Sequence, residues 1–382
     1  MATIHKITED LFVICSALKI NLLQRSESLS NFTLISLFDI DDLIEKGCLT
    51  KKNKTDKNKL LCSATSNDGK RLAIGTSSKL LLIFDLNREC PQFSKPFICQ
   101  LTKAPTKICF LSNETVLVSN RFGSLLKFEI TESEISEGIE LLGHFSMLLD
   151  FCISPNGKFV ITADRDEKIR ISRFPQTFVI EGFCLGHTSF VKSIEWIDND
   201  KLISGGGDSI IYLWDLISFK CISKSCKVAE TPIRKIEKVE ISQEDQISEG
   251  IICLPDESNS ILLFSLDKEQ QKITKLCSFV CPNKEEFIFD FCIDLKNTIV
   301  YCVGRQGIYN FSTKNLPSTN ILELKQIKLL EQQLNLEQQL TLSKDLLPLK
   351  TLFKVALNGK NIEDYKNKKE EKLIDKKKKI EN

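Results

Sequence analysis

The 382-residue chain lacks several features that would have placed it in familiar classes. No window approaches the roughly 18 apolar residues needed to cross a bilayer, and the N-terminus lacks the pattern of a secretory signal. Histidine is scarce, with three residues, and the 15 cysteines include no Cys-x-x-Cys pair, so a zinc site is not expected. An odd number of cysteines in apolar runs is typical of small buried side chains in a reducing compartment. We therefore expect a soluble, intracellular protein.

Catalytic motifs are also missing. The sequence contains no G-x-x-x-x-G-K-[ST], no H-E-x-x-H and no G-x-S-x-G. Its one glycine cluster, 205–207, lies between two predicted strands and not between a strand and a helix, where a dinucleotide-binding turn would lie. We predict no catalytic, cofactor-binding or metal site. A formal net charge of +1 indicates that any contact with nucleic acid must come from local patches.

What the chain does contain is a repeat. Gly186-His187 is followed by Trp214-Asp215, which is the Gly-His and Trp-Asp signature of a WD repeat, and a second Gly-His pair occurs at His144. The strand end marked by Trp214 recurs at intervals of 42 to 50 residues, at Phe38, Phe84, Phe128, Ser172, Trp214, Phe264 and Phe311. Seven marks predict an all-β fold, a seven-bladed WD-repeat β-propeller over residues 1–320.

The repeated polar residues fit a structural role. In WD repeats such groups form a buried chain of hydrogen bonds, for which one repeat supplies four members and the preceding repeat three, with Ser172 in the place of tryptophan. These predicted members are His187, Ser204, Asp208 and Trp214, and then His144, Thr162 and Asp166. Their regular spacing favours this structural role over catalysis.

Four segments depart from the repeat. Residues 46–59 are lysine-rich and predict a solvated surface loop, with phosphate contact as the alternative. Residues 229–248 predict a polar insertion, and 321–350 show the leucine and isoleucine spacing of an amphipathic helix. Residues 351–382 form a charged, Lys-rich extension, interpreted either as a disordered tail or as a nuclear address or weak RNA contact.

One region resembles a known family. The stretches 141–150, 154–157, 163–172 and 183–191 are similar to the non-catalytic WD-repeat subunit of the eukaryotic tRNA (guanine-N7-)-methyltransferase. The resemblance implies a nuclear heterodimer in which a separate catalytic subunit binds S-adenosylmethionine and methylates N7 of a variable-loop guanosine in tRNA. The propeller would stabilise that subunit and help present the tRNA, and would itself bind neither a small-molecule substrate nor a membrane. The resemblance also implies that Lys168 and Arg170, with Arg165, meet the catalytic subunit.

Strand alternation is compatible with that role, because it places Lys168, Arg170 and Ser172 on one side of a strand and Ile169 and Ile171 on the other. Internal pairing of the cations with Asp164, Asp166 or Glu167 is the structural alternative.

Three rival functions remain. One is a substrate adaptor of a ubiquitin ligase, which is disfavoured because Trp214-Asp215 lacks the arginine that such propellers carry two residues later. The others are a propeller enzyme and a general scaffold without an RNA link.

Overall fold

The computed structural model describes residues 2–16, 19–25, 31–40, 59–87, 91–132, 134–243, 246–267, 270–314, 316 and 321–329. These residues form strands, turns and loops, with no helix among them that could span a bilayer. The predicted loop 46–59 and tail 351–382 lie outside them, apart from Lys59.

The strands form seven sheets, which are the seven blades of the predicted propeller; the strands pair antiparallel except for two short late ones, Ile321–Glu323 and Lys328–Leu329, which pair in parallel. The first three blades consist of β1 (Ala2–Lys6), β2 (Leu11–Ser16), β3 (Lys19–Arg25) and β4 (Asn31–Asp39); β5 (Leu60–Thr65), β6 (Arg71–Thr76), β7 (Leu80–Asn87), β8 (Gln92–Phe93) and β9 (Phe97–Gln100); and β10 (Pro105–Ser112), β11 (Thr115–Asn120), β12 (Ser124–Glu129) and β13 (Ile139–Gly143).

The remaining four blades are built in the same way. They consist of β14 (Leu148–Ile153), β15 (Phe159–Asp164), β16 (Lys168–Arg173) and β17 (Ile180–Leu185); β18 (Val191–Trp196), β19 (Lys201–Gly206), β20 (Tyr212–Asp215) and β21 (Lys220–Lys224); β22 (Ile233–Gln243), β23 (Gln246–Pro255), β24 (Ser260–Asp267) and β25 (Lys272–Val280); and β26 (Ile288–Asp294), β27 (Ile299–Gly304) and β28 (Ile308–Ser312) with the later strand β30 (Lys325–Gln326).

Each blade buries apolar side chains on both faces, and its neighbours cover them. Ile169 and Ile171 of blade 4 pack with Trp196 and Trp214 of blade 5, whereas Phe151 on the other face of blade 4 packs with blade 3. Strands sandwiched in this way carry long apolar runs, as the first five residues of Leu80–Asn87 show. The core therefore consists of the seams between blades.

Six of the seven predicted marks lie on the third strand of their blade. Five of these pair with the second residue of the second strand, as Trp214 does with Leu202 and Phe311 with Val300; the sixth, Phe264, pairs with Ile251 inside the longer β23. The first mark is wrong, because Phe38 lies on the outer strand β4, and the equivalent position is Leu23, which pairs with Phe12. Phe38 fits the same sequence pattern because its side chain is also packed: its ring centroid lies 5.0 Å from that of Phe84.

Two predicted segments are different in the structure. The polar stretch 229–248 is mostly strand, since it contains β22 and the start of β23 in a long hairpin of blade 6. The start of the predicted amphipathic helix 321–350 is extended, with β29 (Ile321–Glu323), β30 and β31 (Lys328–Leu329), and residues 330–350 lie outside the described ranges. The described propeller thus continues to residue 329.

These three short strands form a strap, residues 321–329, that closes the ring. Strand β29 pairs with the outer strand of blade 6, β30 completes blade 7, and β31 pairs with the outer strand of blade 1. The residues between them turn inward: Leu324 joins the core between blades 6 and 7, and Ile327 the core between blades 7 and 1. Spacing of apolar residues alone could not distinguish this strap from a helix.

The hydrogen-bond chain of blade 5 has the predicted members. The Trp214 indole N–H donates to Ser204 Oγ at 2.7 Å, and Ser204 Oγ lies 2.7 Å from His187 Nε2. Because an indole can only donate, the serine hydroxyl donates onward to Nε2, and Nδ1–H of His187 donates to Asp208 Oδ2 at 2.8 Å.

In blade 4 the equivalent chain of hydrogen bonds differs from the prediction at one residue, the aspartate. His144 Nε2 lies 2.8 Å from Thr162 Oγ1, as expected, but Nδ1 bonds Asp164 Oδ2 at 3.1 Å and not Asp166. Asp164 is the last residue of β15, where its carboxylate points back under the turn, whereas Asp166 lies within the turn. Counting back from the Trp position misplaced the aspartate, because the hairpins of blades 4 and 5 are equally long, with Thr162 paired to Arg170 and Ser204 to Tyr212, but the bonded aspartate lies at a different position in each.

Ring closure by the strap is testable with two isoleucines. Ile327→Ala should lower the free energy of unfolding by about 2–4 kcal/mol, because it removes buried methyl groups and leaves a cavity in the seam. Ile321→Ala is the matched control, since this side chain is 68% exposed and should change stability by less than about 0.5 kcal/mol. Denaturant unfolding monitored by tryptophan fluorescence gives both values, and equal losses would contradict the closing role.

The corrected aspartate is testable in the same assay. Asp164→Ala should cost about 1–3 kcal/mol of unfolding free energy, because the His144 ring and the backbone N–H groups of the turn lose their acceptor. Asp166→Ala should cost less than about 0.5 kcal/mol. A larger loss for Asp166→Ala would restore the original assignment.

Candidate partner-binding surface

The three predicted partner-binding residues lie at one corner of blade 4. Arg165 is in the turn between β15 and β16, Lys168 begins β16, and Arg170 follows two residues later. Asp164 fixes this turn, since its Oδ1 accepts hydrogen bonds from the backbone N–H of Asp166 at 2.9 Å and of Lys168 at 3.0 Å. The carboxylate that holds His144 therefore also shapes the corner.

Strand register shows which way the corner faces. Arg170 pairs with Phe183 and Lys168 with Leu185 on the outer strand β17, and paired residues of antiparallel strands share a face. Ile169 and Ile171 point the other way, into the seam with blade 5. The alternation predicted from the sequence is confirmed, and the cations lie on the side of blade 3.

Arg170 is anchored within the propeller. Its guanidinium donates to Ser172 Oγ at 2.8 Å and to the carbonyl oxygens of Gly143 at 3.2 Å and Thr177 at 3.1 Å. Gly143 belongs to the outer strand of blade 3, so Arg170 joins two blades. Partial burial lowers the pKa of the guanidinium. The alternative raised by the sequence, pairing of this arginine with Asp164, Asp166 or Glu167, is not found among the described residues.

Lys168 is the exposed cation of the corner. Its side chain forms no ion pair within the ranges that the structure describes, which removes the structural alternative for this residue. Its register neighbour Leu185 is 63% exposed, and Phe145, which directly follows His144, is 78% exposed. Arg165 is half-buried, and its backbone N–H donates to the Met147 carbonyl at 3.0 Å.

Exposed apolar groups on an outer strand distinguish this corner. Phe183 and Leu185 stand on the outer strand of a sheet, where large apolar side chains are normally replaced by polar ones. Contiguous exposed apolar groups commonly mark contacts with another protein. Sequence reasoning missed them, because apolar residues such as those of Ile180–Leu185 are equally typical of a buried strand.

The cysteines have the predicted character. The thirteen in the described residues are unpaired, and all but Cys221 and Cys226 are buried or half-buried. Burial raises the pKa of the Cys15 and Cys62 thiols to about 12, so these remain protonated and unreactive. No cluster of three or more potential metal ligands occurs in the part of the chain that the structure describes.

Solved structures share the fold at low sequence identity. The RRP9 WD40 repeats match with a TM-score of 0.60 and 16% identity, over 79% of this chain and 87% of that one. The C-terminal WD40 domain of Sif2 matches with a TM-score of 0.59 and 15% identity, over 79% and 92%. At these identities the comparison establishes the WD40 propeller alone.

Sequence relatives are more informative. The tRNA (guanine-N(7)-)-methyltransferase non-catalytic subunit of Caenorhabditis elegans is 31% identical over 289 residues, which are 72% of this chain and 69% of the relative. The human non-catalytic subunit WDR4 is 34% identical over 202 residues, but only 48% of this chain and 47% of the relative are matched. The family model described as the tRNA methyltransferase TRM82 WD40 domain matches residues 131–300, which include the corner of blade 4. The chain belongs to the family of non-catalytic WD-repeat subunits of tRNA (guanine-N(7)-)-methyltransferase.

Proposed function

We propose that this propeller binds the catalytic subunit of a tRNA (guanine-N7-)-methyltransferase through the corner of blade 4, stabilises it and helps present tRNA to it. The observation that carries the proposal is the exposed lysine at Lys168 beside the exposed Leu185, on a turn that Asp164 holds rigid. An unpaired cation next to an apolar patch suits a protein partner that offers a carboxylate and an apolar groove.

The division of labour between the subunits follows from the chemistry that this chain lacks. Methyl transfer requires a site for S-adenosylmethionine, and we assign that site to the partner. The propeller contributes a rigid surface, because seven packed blades hold the corner without cost at the moment of binding. A nuclear location of the complex is part of the same proposal.

Lys168 and Arg170 have different roles in this proposal. Lys168 contacts the partner directly, whereas Arg170 positions the surface by joining the outer strand of blade 3 to the connection between β16 and β17 of blade 4. Replacing Arg170 would leave the carbonyls of Gly143 and Thr177 without their donor.

Reconstitution tests the function itself. The chain alone should neither bind S-adenosylmethionine nor methylate tRNA, whereas the chain mixed with its catalytic subunit should raise N7 methylation of guanosine above the level of that subunit alone. Transfer of the labelled methyl group from S-adenosylmethionine, followed by nucleoside analysis, measures this. Methylation by the isolated chain, or no gain on mixing, would refute the proposal.

Single substitutions distinguish the role of Lys168 from that of Arg170. Lys168→Glu should weaken the pairing about tenfold or more while leaving stability unchanged, because an exposed contact is reversed in charge. Arg170→Met should instead lower the free energy of unfolding by about 1–3 kcal/mol, since the carbonyl of the buried Thr177 loses a donor and the bond to Ser172 is lost. Lys272→Glu, at an exposed position in the outer strand of blade 6, is the control for Lys168. Calorimetric titration and denaturant unfolding supply the two readouts, and a stability loss in Lys168→Glu with unchanged pairing would contradict its assignment.

A further inference from the structure

The outer strands of blades 3 and 4 leave a cleft between them at the end opposite the partner-binding corner. Ile139 is the first residue of β13 and Ile180 the first of β17, whereas Leu185 at the corner is the last residue of β17. The strand between Ile180 and Leu185 is about 17 Å long. We call the far end the lower cleft, and its apolar lining is Ile139, Phe178 and Ile180.

Strand register shows that the lower cleft is lined from both sides. Ile180 pairs with Ser172, which lies on the side of blade 4 that faces blade 3. Ile139 pairs with Lys127, and Leu125, two residues before Lys127 on the same side of its strand, packs against blade 4. Both isoleucines therefore face into the space between the two outer strands.

Phe178 adds a large apolar side chain to the lower cleft. It lies on the connection between β16 and β17, which is tied to blade 3 because the Thr177 hydroxyl donates to the Leu141 carbonyl. The side chains of Phe178, Ile139 and Ile180 are 81%, 61% and 44% exposed. Exposed apolar side chains gathered in one cleft commonly mark a binding surface.

Negative charge borders the lower cleft. The two segments that form it, 127–140 and 173–181, contain six glutamates against one lysine and one arginine, and each of these cations pairs with a glutamate. The connections that adjoin these segments through backbone hydrogen bonds add Glu114 and Lys158, which leave the balance unchanged. Four exposed glutamates form no ion pair with any residue that the structure describes: Glu132, Glu134, Glu137 and Glu140.

The chain contains a segment of matching chemistry outside the described residues. Residues 344–360 carry four lysines and one aspartate, and eight of the 17 residues are apolar. The other long stretches outside the described ranges lack this combination. Residues 330–343 carry two glutamates and no cation, whereas 41–58 and 361–382 are apolar at only four of 18 and five of 22 positions.

We propose that residues 344–360 dock in the lower cleft of the same chain. Their apolar side chains cover Ile139, Phe178 and Ile180, and their lysines meet the four glutamates that border the cleft. The lower cleft is thus an intramolecular docking surface, separate from the corner that binds the catalytic subunit.

The described chain ends on the side of the ring that this docking requires. Strand β31 pairs with Asn31 and Phe32, the first residues of the outer strand β4. Each blade is a series of antiparallel strands in chain order, so all outer strands begin at the same end of the ring, and Leu329 lies at the end that carries the lower cleft.

The linker is also long enough. Residues 330–343 are 14 residues, which reach about 46–50 Å when extended. A blade of four strands is about 15 Å wide, so a linker of this length is sufficient to pass from the outer edge of blade 1 across the ring to that of blade 3.

A separate molecule is the alternative occupant of the lower cleft. The catalytic subunit would have to extend along the whole of β17 from the corner, and a second copy of this chain would have to supply the same basic segment. The tether favours the chain itself, because a linker of this kind gives an effective concentration in the millimolar range.

Auto-competition tests the docking in the full-length chain. The probe is a fluorescein-labelled peptide with the sequence of residues 344–360, and its binding is measured by fluorescence anisotropy. The tail variant carries Leu352→Ser and Phe353→Ser, which weaken the tethered segment. Because a tether near 1 mM competes against a Kd of about 0.1 mM, the peptide should bind the tail variant about tenfold more tightly than the wild type.

Further substitutions in the tail variant locate the peptide. Adding Phe178→Ser should remove the tenfold gain. Adding Leu295→Ser is the matched control, since Leu295 is 63% exposed in a turn of blade 7 at the same end of the ring, and it should leave the gain unchanged. Adding Glu134→Lys and Glu140→Lys keeps the apolar lining and should weaken peptide binding at least about threefold.

Carbodiimide cross-linking of the wild-type chain provides a second readout. Lys350 or Lys354 should join one of the four glutamates within a single molecule, at a yield that does not depend on protein concentration. The same cross-links should fall at least about threefold in the tail variant, because the segment no longer rests beside these carboxylates.

Equal peptide binding by the wild type and the tail variant would overturn the proposal, as would a gain that survives Phe178→Ser. Cross-links that form only between molecules, and increase with concentration, would assign the lower cleft to a second copy and overturn it as well. Neither measurement uses the catalytic subunit, so the outcome is independent of the proposed function.

Discussion

A four-stranded blade with apolar side chains on both faces can be covered only by another blade, and this constraint governs the whole molecule. Blade 4 buries Ile169 and Ile171 against blade 5, and Phe151 against blade 3. The chain must therefore continue until the last blade meets the first. At that final seam Ile327 packs in the core between blades 7 and 1.

Binding surfaces in such a ring lie at the corners and edges of the blades, because the faces of the blades are buried against one another. In blade 4 one carboxylate has two structural roles: Asp164 bonds the His144 ring and also fixes the turn that presents Lys168. Rigidity at this corner comes from the fold itself. A partner that binds there would pay little for ordering the surface, which is what a stabilising, non-catalytic subunit needs.

Sequence spacing predicted the blade count, because each third strand ends in a packed residue that pairs with the second strand in the same register, as Trp214 does. The prediction from sequence spacing failed where one pattern of apolar residues is compatible with two different structures. Phe38 is packed but lies on an outer strand, and the apolar spacing after Ile321 suits both a helix and a strap across three blades. The exact aspartate could not be predicted either, since the hairpins of blades 4 and 5 have the same length and the aspartate that bonds the histidine lies at a different position in each.

Cross-linking of the assembled heterodimer, followed by mass spectrometry, tests most directly whether the corner of blade 4 binds the catalytic subunit. A lysine-to-carboxylate cross-linker should join Lys168 to an acidic residue of the catalytic subunit, with no cross-links to that subunit from lysines on the outer strand of blade 6. Cross-links to blade 6 with none at Lys168 would contradict the placement of the partner on this corner.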